Sequence, residues 1–309
     1  MKKTLFTMLI AVMGMTAFAQ QDPMLSQYMF NHLLINPGYA GSKPYMMTSA
    51  LYRNQWTGFE GAPITAVASI HGPWHGKNMG LGATIMNDHI GVTNRFEVKG
   101  DYSYHIPITE KVKVGVGLSA GLSYYTAKVS ELVYWDLDDP IFQGDVHSNL
   151  LPNFGAGAFL YSKKYWAGIS VPELISYDPD KVFSIDASAD FAPRQVRHYF
   201  AEAGYVIGYN TDFAFRPSIL VKYVKNTPMQ ADFNLNCVIK NVVWIGGSYR
   251  TNDAAVAIAE VQVNKKMRVG YSYDITLSEL NNYSNGSHEI MIGYDFGYDI
   301  MKMKTPRYF

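Results

Sequence analysis

Few residues able to do chemistry in this chain stand where they could act together. Asp136, Asp138 and Asp139 could offer oxygen ligands to calcium. An EF-hand loop, however, needs acidic ligands at alternate positions, a central glycine and a closing glutamate. That spacing is absent, and an Asx-rich turn is the plainer reading. His71 and His75 flank a turn with no carboxylate beside them to complete a zinc set. Ser287, His288 and Glu289 match a hydrolase triad in residue type only. Consecutive strand residues point to opposite faces, whereas nucleophile, base and orienting acid must converge. There is no phosphate loop and no dinucleotide fingerprint. The lone cysteine, Cys237, excludes an internal disulfide and a multi-cysteine metal site. These residues predict no enzyme, no cofactor and no metal centre.

The elements carrying them read as strands. In 112–125, Val112, Val114, Val116, Leu118, Ala120, Leu122 and Tyr124 alternate with Lys113, Gly115, Gly117, Ser119, Gly121, Ser123 and Tyr125. One face is apolar and the other small or polar, as in a soluble sandwich or in an outer-membrane barrel with lipid outside and a polar lumen. The same alternation sets Phe96, Val98, Tyr102 and Tyr104 against Glu97, Lys99, Asp101 and Ser103. It also opposes Phe233, Leu235 and Cys237 to Asp232, Asn234 and Asn236, and Ile290, Ile292 and Tyr294 to Glu289 and Gly293. Fourteen strands are predicted: 47–56, 64–70, 79–87, 95–105, 112–126, 153–161, 165–171, 197–209, 214–224, 230–239, 242–250, 254–263, 267–275 and 288–297.

Loop lengths favour the barrel. Every second connection is short (71–78, 107–111, 162–164, 210–212, 240–241 and 264–266), and the three long ones, 127–152, 172–196 and 276–287, all fall on the other side. Barrels pair short periplasmic turns with longer extracellular loops; a sandwich has no reason to sort its loops by parity. Tyr and Trp near strand ends, among them Trp56, Tyr125, Tyr161, Trp166 and Trp244, would form interfacial girdles.

The composition agrees. Of 309 residues, 48% are hydrophobic and only 17% charged, below the ~25% usual in soluble domains. The zero formal charge gives no support to nucleic-acid binding. Lys2 and Lys3, an apolar run over 5–15 and Ala17-Phe18-Ala19 read as a secretory signal peptide (1–19), cut between Ala19 and Gln20. No later stretch approaches the ~20 apolar residues of a spanning helix.

Residues 20–46 form an N-terminal segment. Asp22-Pro23 could open a helix whose Leu25, Tyr28, Met29, His32 and Leu33 share a face, stopped at Asn36-Pro37-Gly38. It is either a plug in the lumen mouth or a periplasmic docking helix. Residues 47–298 form the barrel, and 299–309 a basic periplasmic tail. The predicted short turns are basic, with Lys163, Lys164, Lys265 and Lys266 prominent, and the long loops lean acidic. A basic inner rim would suit an acidic periplasmic protein or the anionic cell wall.

Several stretches resemble a known family. These are Gln21-Asp22-Pro23, Ser26-Gln27-Tyr28-Met29, Asn36-Pro37 through Gly41, Gln55-Trp56 with 59–63, and Asp88 to Gly91. Further matches are Asp136 to Pro140, Pro152-Asn153-Phe154-Gly155, Arg197-His198-Tyr199, Gln230-Ala231-Asp232, Gly270-Tyr271 to Asp274, and Gly286 through Ile290. Together they are similar to the PorP/SprF membrane proteins of the type IX secretion system. The resemblance implies an outer-membrane barrel of Bacteroidetes-type bacteria without enzymatic activity. Its partners would be other type IX secretion components and a secreted cargo, such as a large gliding adhesin. The expectation is thus an all-β, transmembrane outer-membrane β-barrel of about 14 antiparallel strands with a short N-terminal helical or plug segment. A porin or transporter for small solutes is the alternative function, and a soluble exported sandwich such as a lectin the alternative fold.

Overall fold

Alternation in Val112–Ala127 (β5) is what the fold is built from. Val116, Leu118, Ala120, Leu122 and Tyr124 are exposed, while Gly115, Gly117, Ser119, Ser123 and Tyr125 are buried. The computed structural model describes residues 22–74, 77–128, 130, 145–148, 150–175 and 196–296. Before β5 come β1 (Met46–Asn54), β2 (Ile64–Trp74), β3 (Met79–Ile90) and β4 (Thr93–Pro107). After it come the two-residue β6 (Val146–His147), β7 (Leu151–Ser162), β8 (Tyr165–Val171), β9 (His198–Tyr205) and β10 (Phe213–Val224). The chain closes with β11 (Gln230–Ile239), β12 (Val243–Arg250), β13 (Ala254–Gln262), β14 (Met267–Thr276) and β15 (Ser287–Phe296).

Each long strand pairs antiparallel with the next, β5 pairs with β7, and β15 pairs back onto β1 from Met46↔Phe296 to Asn54↔His288. The sheet is therefore a closed ring of fourteen staves, with β6 a short addition beside β5. Closure removes sheet edges and satisfies the backbone polar groups without water, as a membrane requires. Among the described residues no helix is long and apolar enough to cross a membrane.

The strand boundaries fall within a few residues of those predicted, and so does the sorting of loops. The β2–β3, β4–β5, β7–β8, β9–β10, β11–β12 and β13–β14 connections leave their strands at one end; the long β5–β7, β8–β9 and β14–β15 connections leave theirs at the other. The tight turns have residues suited to them. Lys240 and Asn241 both take positive φ (50° and 56°), closed by the Val242 amide on Ile239 O at 2.9 Å, the backbone hand that matches strand twist.

Two aspects differ from the sequence reading. Trp166, Trp244, Tyr125 and Tyr161, expected in girdles, point inward and are buried. Tyr102, Tyr104, Tyr223, Tyr249 and Tyr271 do face outward and are exposed. The inner face carries large apolar side chains because something inside the ring packs on them. That something is the N-terminal segment, and it is not an α-helix. It makes three 3-10 turns, Tyr28–Phe30, His32–Leu34 and Pro37–Tyr39. Side-chain oxygens of Asn31 and Asn36 accept from the Leu33 and Gly38 amides, local bonds that compete with helix propagation. Strand side chains satisfy much of the remaining backbone. The Ser26 and Gln27 amides donate to Glu289, Met29 O accepts from Arg216, and Ile35 O accepts from Ser170.

Candidate functional site

The lumen is the candidate site, and its content is the strap formed by residues 22–45. Asp22 lies at the long-loop end, against Arg95 near the start of β4 and His198 at the start of β9. Ala40 lies towards the short-turn end, where its carbonyl accepts from His105 Nε2 at 2.8 Å and from Ser103. β1 then begins at the short-turn end. The strap therefore runs the length of the lumen.

Its apolar residues form the core of the molecule. Tyr28, Met29, Phe30, Leu33 and Tyr39 are buried against Phe159, Trp166, Leu220, Trp244 and Met291 of the inner wall. The Tyr39 ring meets Phe159 edge-on at 5.2 Å between centroids and His71 at 4.9 Å. Small residues on β5 let the strap approach. A Cβ on Gly117 would lie 2.3 Å from the Gly38 amide nitrogen, and one on Gly115 2.2 Å from Gly38 O. The glycine face of the opening strand is thus a seat for Pro37-Gly38.

Polar contacts fix the strap along its course. Near the long-loop end, Arg53 donates to Asp274 at 2.7 Å, to Glu289 at 3.1 Å and to the Ser26 hydroxyl at 3.1 Å. Arg250 pairs with Asp232 at 3.1 Å and lies 3.6 Å from Asp274. Midway, Asn31 donates to Ser49 and Ser69 at 2.7 and 2.6 Å, and His32 Nδ1 lies 2.5 Å from Glu202. Asn234 donates to the Tyr28 hydroxyl at 2.8 Å. Nearer the short-turn end, Arg268 pairs with Glu260 at 3.3 Å. Buried charges of this kind are tolerated only when paired.

At the long-loop end one guanidinium gathers three carboxylates. Arg95 donates to Asp22 at 2.8 Å and also to Glu97 and Glu173, and it covers the Tyr125 ring at 5.6 Å. His198 Nδ1 is 3.0 Å from Asp22. Glu173 lies just beyond β8, so this cluster joins the strap, the wall and the start of a long connection. Burial pushes the Glu173 carboxyl up to about 8, and neighbouring Asp22 and Glu97 push the same way against Arg95.

The residues singled out from sequence fall as follows. Glu97, Asp101, Asp232, Asn234, Asn236 and Glu289 face the lumen and are buried. Ser287 and Glu289 point inward while His288 bonds the Tyr271 hydroxyl at 2.7 Å on the outer face, so no triad forms. Lys163, Lys164, Lys265 and Lys266 are exposed at short-turn tips. Their two turns, β7–β8 and β13–β14, stand six staves apart in the ring of fourteen, so they do not make one patch. Ala19, Gln20, His75, Asp136, Asp138, Asp139 and the tail 299–309 lie outside the described residues. No group of three potential metal ligands occurs among the described residues. Sequence reading missed the buried arginines Arg53, Arg95, Arg216, Arg250 and Arg268. Their inward parity within strands was the available signal.

A family profile described as "Type IX secretion system membrane protein PorP/SprF" matches residues 17–294, most of the chain. The chain belongs to the PorP/SprF family. Membership and the closed ring together place it in the outer membrane. No curated protein sequence matches it significantly. Solved structures similar to this PorP/SprF barrel share little sequence with it. A deltaS2 mutant of the TodX monoaromatic hydrocarbon channel aligns at TM-score 0.50 and 9% identity, covering 86% of this chain and 94% of that one. The CymD monoaromatic hydrocarbon channel aligns at 0.47 and 11%, covering 93% and 97%. The Acinetobacter baumannii outer membrane protein Omp33 aligns at 0.45 and 10%, covering 83% and 100%. At this identity only the barrel fold is shared.

Proposed function

We propose that this PorP/SprF protein is a non-enzymatic accessory of type IX secretion that assists secretion or surface attachment of a cargo protein, such as a large gliding adhesin. It acts as an anchored platform and not as a conduit. One observation carries this reading: the inward polar residues that would line a wet channel are spent on the chain's own strap, as in Arg53–Glu289–Ser26. A porin for small solutes would need that space free.

In this reading the long loops face the cell exterior, and the signal peptide is removed between Ala19 and Gln20. The basic turns carrying Lys163, Lys164, Lys265 and Lys266 then meet a periplasmic protein or the cell wall. With six of the fourteen staves between them, the partner spans the rim or binds at two points. Charge reversal at all four should reduce the periplasmic proteins that co-purify; an unchanged set removes the rim from the proposal.

Deleting the gene and cataloguing the type IX cargo lost from the surface tests the whole reading. Loss of one adhesin indicates cargo-specific attachment, and loss of all cargo a core role. No loss overturns the proposal.

A further inference from the structure

The outward wall is not uniform. At the short-turn end, where β1 leaves the wall to become the strap, a groove of about 480 Å³ opens beside β2. The β1–β2 ladder ends at Met47↔His71, while β2 runs on to Trp74. Met46, Ile70, Trp74 and Leu81 rise around it with 46%, 40%, 52% and 42% of their surface exposed. Gly72 and Ala83 line it where neighbouring positions carry long side chains.

One charged side chain borders this apolar groove. The Lys77 ammonium sits over the Trp74 ring, 5.7 Å from its centroid. His71, next after Ile70 along β2, faces the other way, into the lumen, where it accepts the Gly41 amide on Nδ1 at 3.2 Å and meets the Tyr39 ring.

We propose that this groove is a binding site for one anionic glycerophospholipid of the adjoining leaflet. An acyl chain lies over Gly72 and Ala83 between Trp74 and Leu81. The headgroup phosphate lies by Lys77. Charge complementarity and the setting select the occupant: the groove opens to lipid at the membrane edge, with a cation at its polar end.

The test is native mass spectrometry of the full-length barrel, delipidated in mild detergent and titrated with phosphatidylglycerol or phosphatidylcholine. The intact protein is expected to bind one phosphatidylglycerol more tightly than phosphatidylcholine. Lys77→Glu should weaken phosphatidylglycerol roughly fivefold, the scale of one basic residue at an anionic lipid surface, and leave phosphatidylcholine unchanged. Ala83→Phe fills the groove from an exposed position and should weaken both lipids. Heat-modifiable gel mobility verifies that both variants remain folded barrels. Equal binding of the two lipids, or variants that bind as the parent does, would reduce the groove to ordinary annular contact and overturn the proposal. A photo-crosslink from position 74 to a polypeptide instead of lipid would also overturn it, by assigning the groove to a protein partner or to this chain's own C-terminal residues.

Discussion

Asp22 accepts a hydrogen bond from Arg95 Nη1 at 2.8 Å across 73 residues of sequence. The pair fixes the start of the strap to the wall at the long-loop end, although the strap leads into β1 at the opposite end. Asp22 and the short turns thus lie at opposite ends of the barrel. An epitope inserted ahead of Asp22 and one inserted in the turn 263–266 should be reached by antibody from opposite compartments. Labelling of intact and permeabilised cells checks this, and identical behaviour of the two tags contradicts the threading.

Arg53 should matter more to stability than any rim lysine. It is buried and holds Asp274 and Glu289 together with Ser26. Arg53→Ala leaves the buried Glu289 without its cation and Asp274 with Arg250 alone at 3.6 Å, a loss on the order of 3–5 kcal/mol. Lys163→Ala, at an exposed tip, should fall within about 0.5 kcal/mol of the parent. Thermal unfolding in detergent, followed by gel mobility, separates the two.

Glu173 gives the long-loop end a pH dependence. Burial first, then Asp22 and Glu97, raise its carboxyl from 4.5 to about 8 in the folded protein, against the pull of Arg95. A raised folded value means that the docked form holds its proton more tightly than the undocked one. The contribution is full below about 4.5 and is lost as pH rises through about 8. Protease cleavage in the connection after β8 should therefore increase across that window. Glu173→Gln should flatten the profile, and a profile unchanged in that variant assigns the effect to another group.

Much of the barrel was legible because a membrane imposes simple rules. Alternation in β5 and the parity of loop lengths identified closure and strand count, since tilt, span and turn length are set by the bilayer. What sits inside was less legible. Trp166 and Trp244 look like girdle residues by type; inward, Trp166 meets the strap's His32 at 5.9 Å and Trp244 lies in one buried cluster with Met29 and Phe30. β13 alternates weakly because Ala255, Ala257 and Ala259 face out while Val256 and Ile258 pack inward. An apolar stripe within residues 20–46 read as one helical face. In the structure the segment is enclosed on every side, so no single face needed to be apolar and three short turns replace the helix.

Gly117 should be intolerant of any side chain, although it lies in the middle of a regular strand. The Pro37–Gly38 backbone occupies the place its Cβ would take, at 2.3 Å. Gly117→Val should unseat the strap there and expose the segment to protease. Gly100 has open space, its nearest atom 4.0 Å away, so Gly100→Ala should behave as the parent. Equal protease resistance of both variants would show that the strap does not rest on β5.

Conductance of the purified, strap-intact protein in planar bilayers tests most directly whether the barrel is a closed platform. The strap fixed by Asp22–Arg95, Ser26–Glu289 and Ala40–His105 should leave no steady conductance. Gly117→Val, or deletion of residues 22–41, should raise it in whatever fraction folds. A large, steady open channel in the intact protein would contradict the closed platform and restore the porin reading.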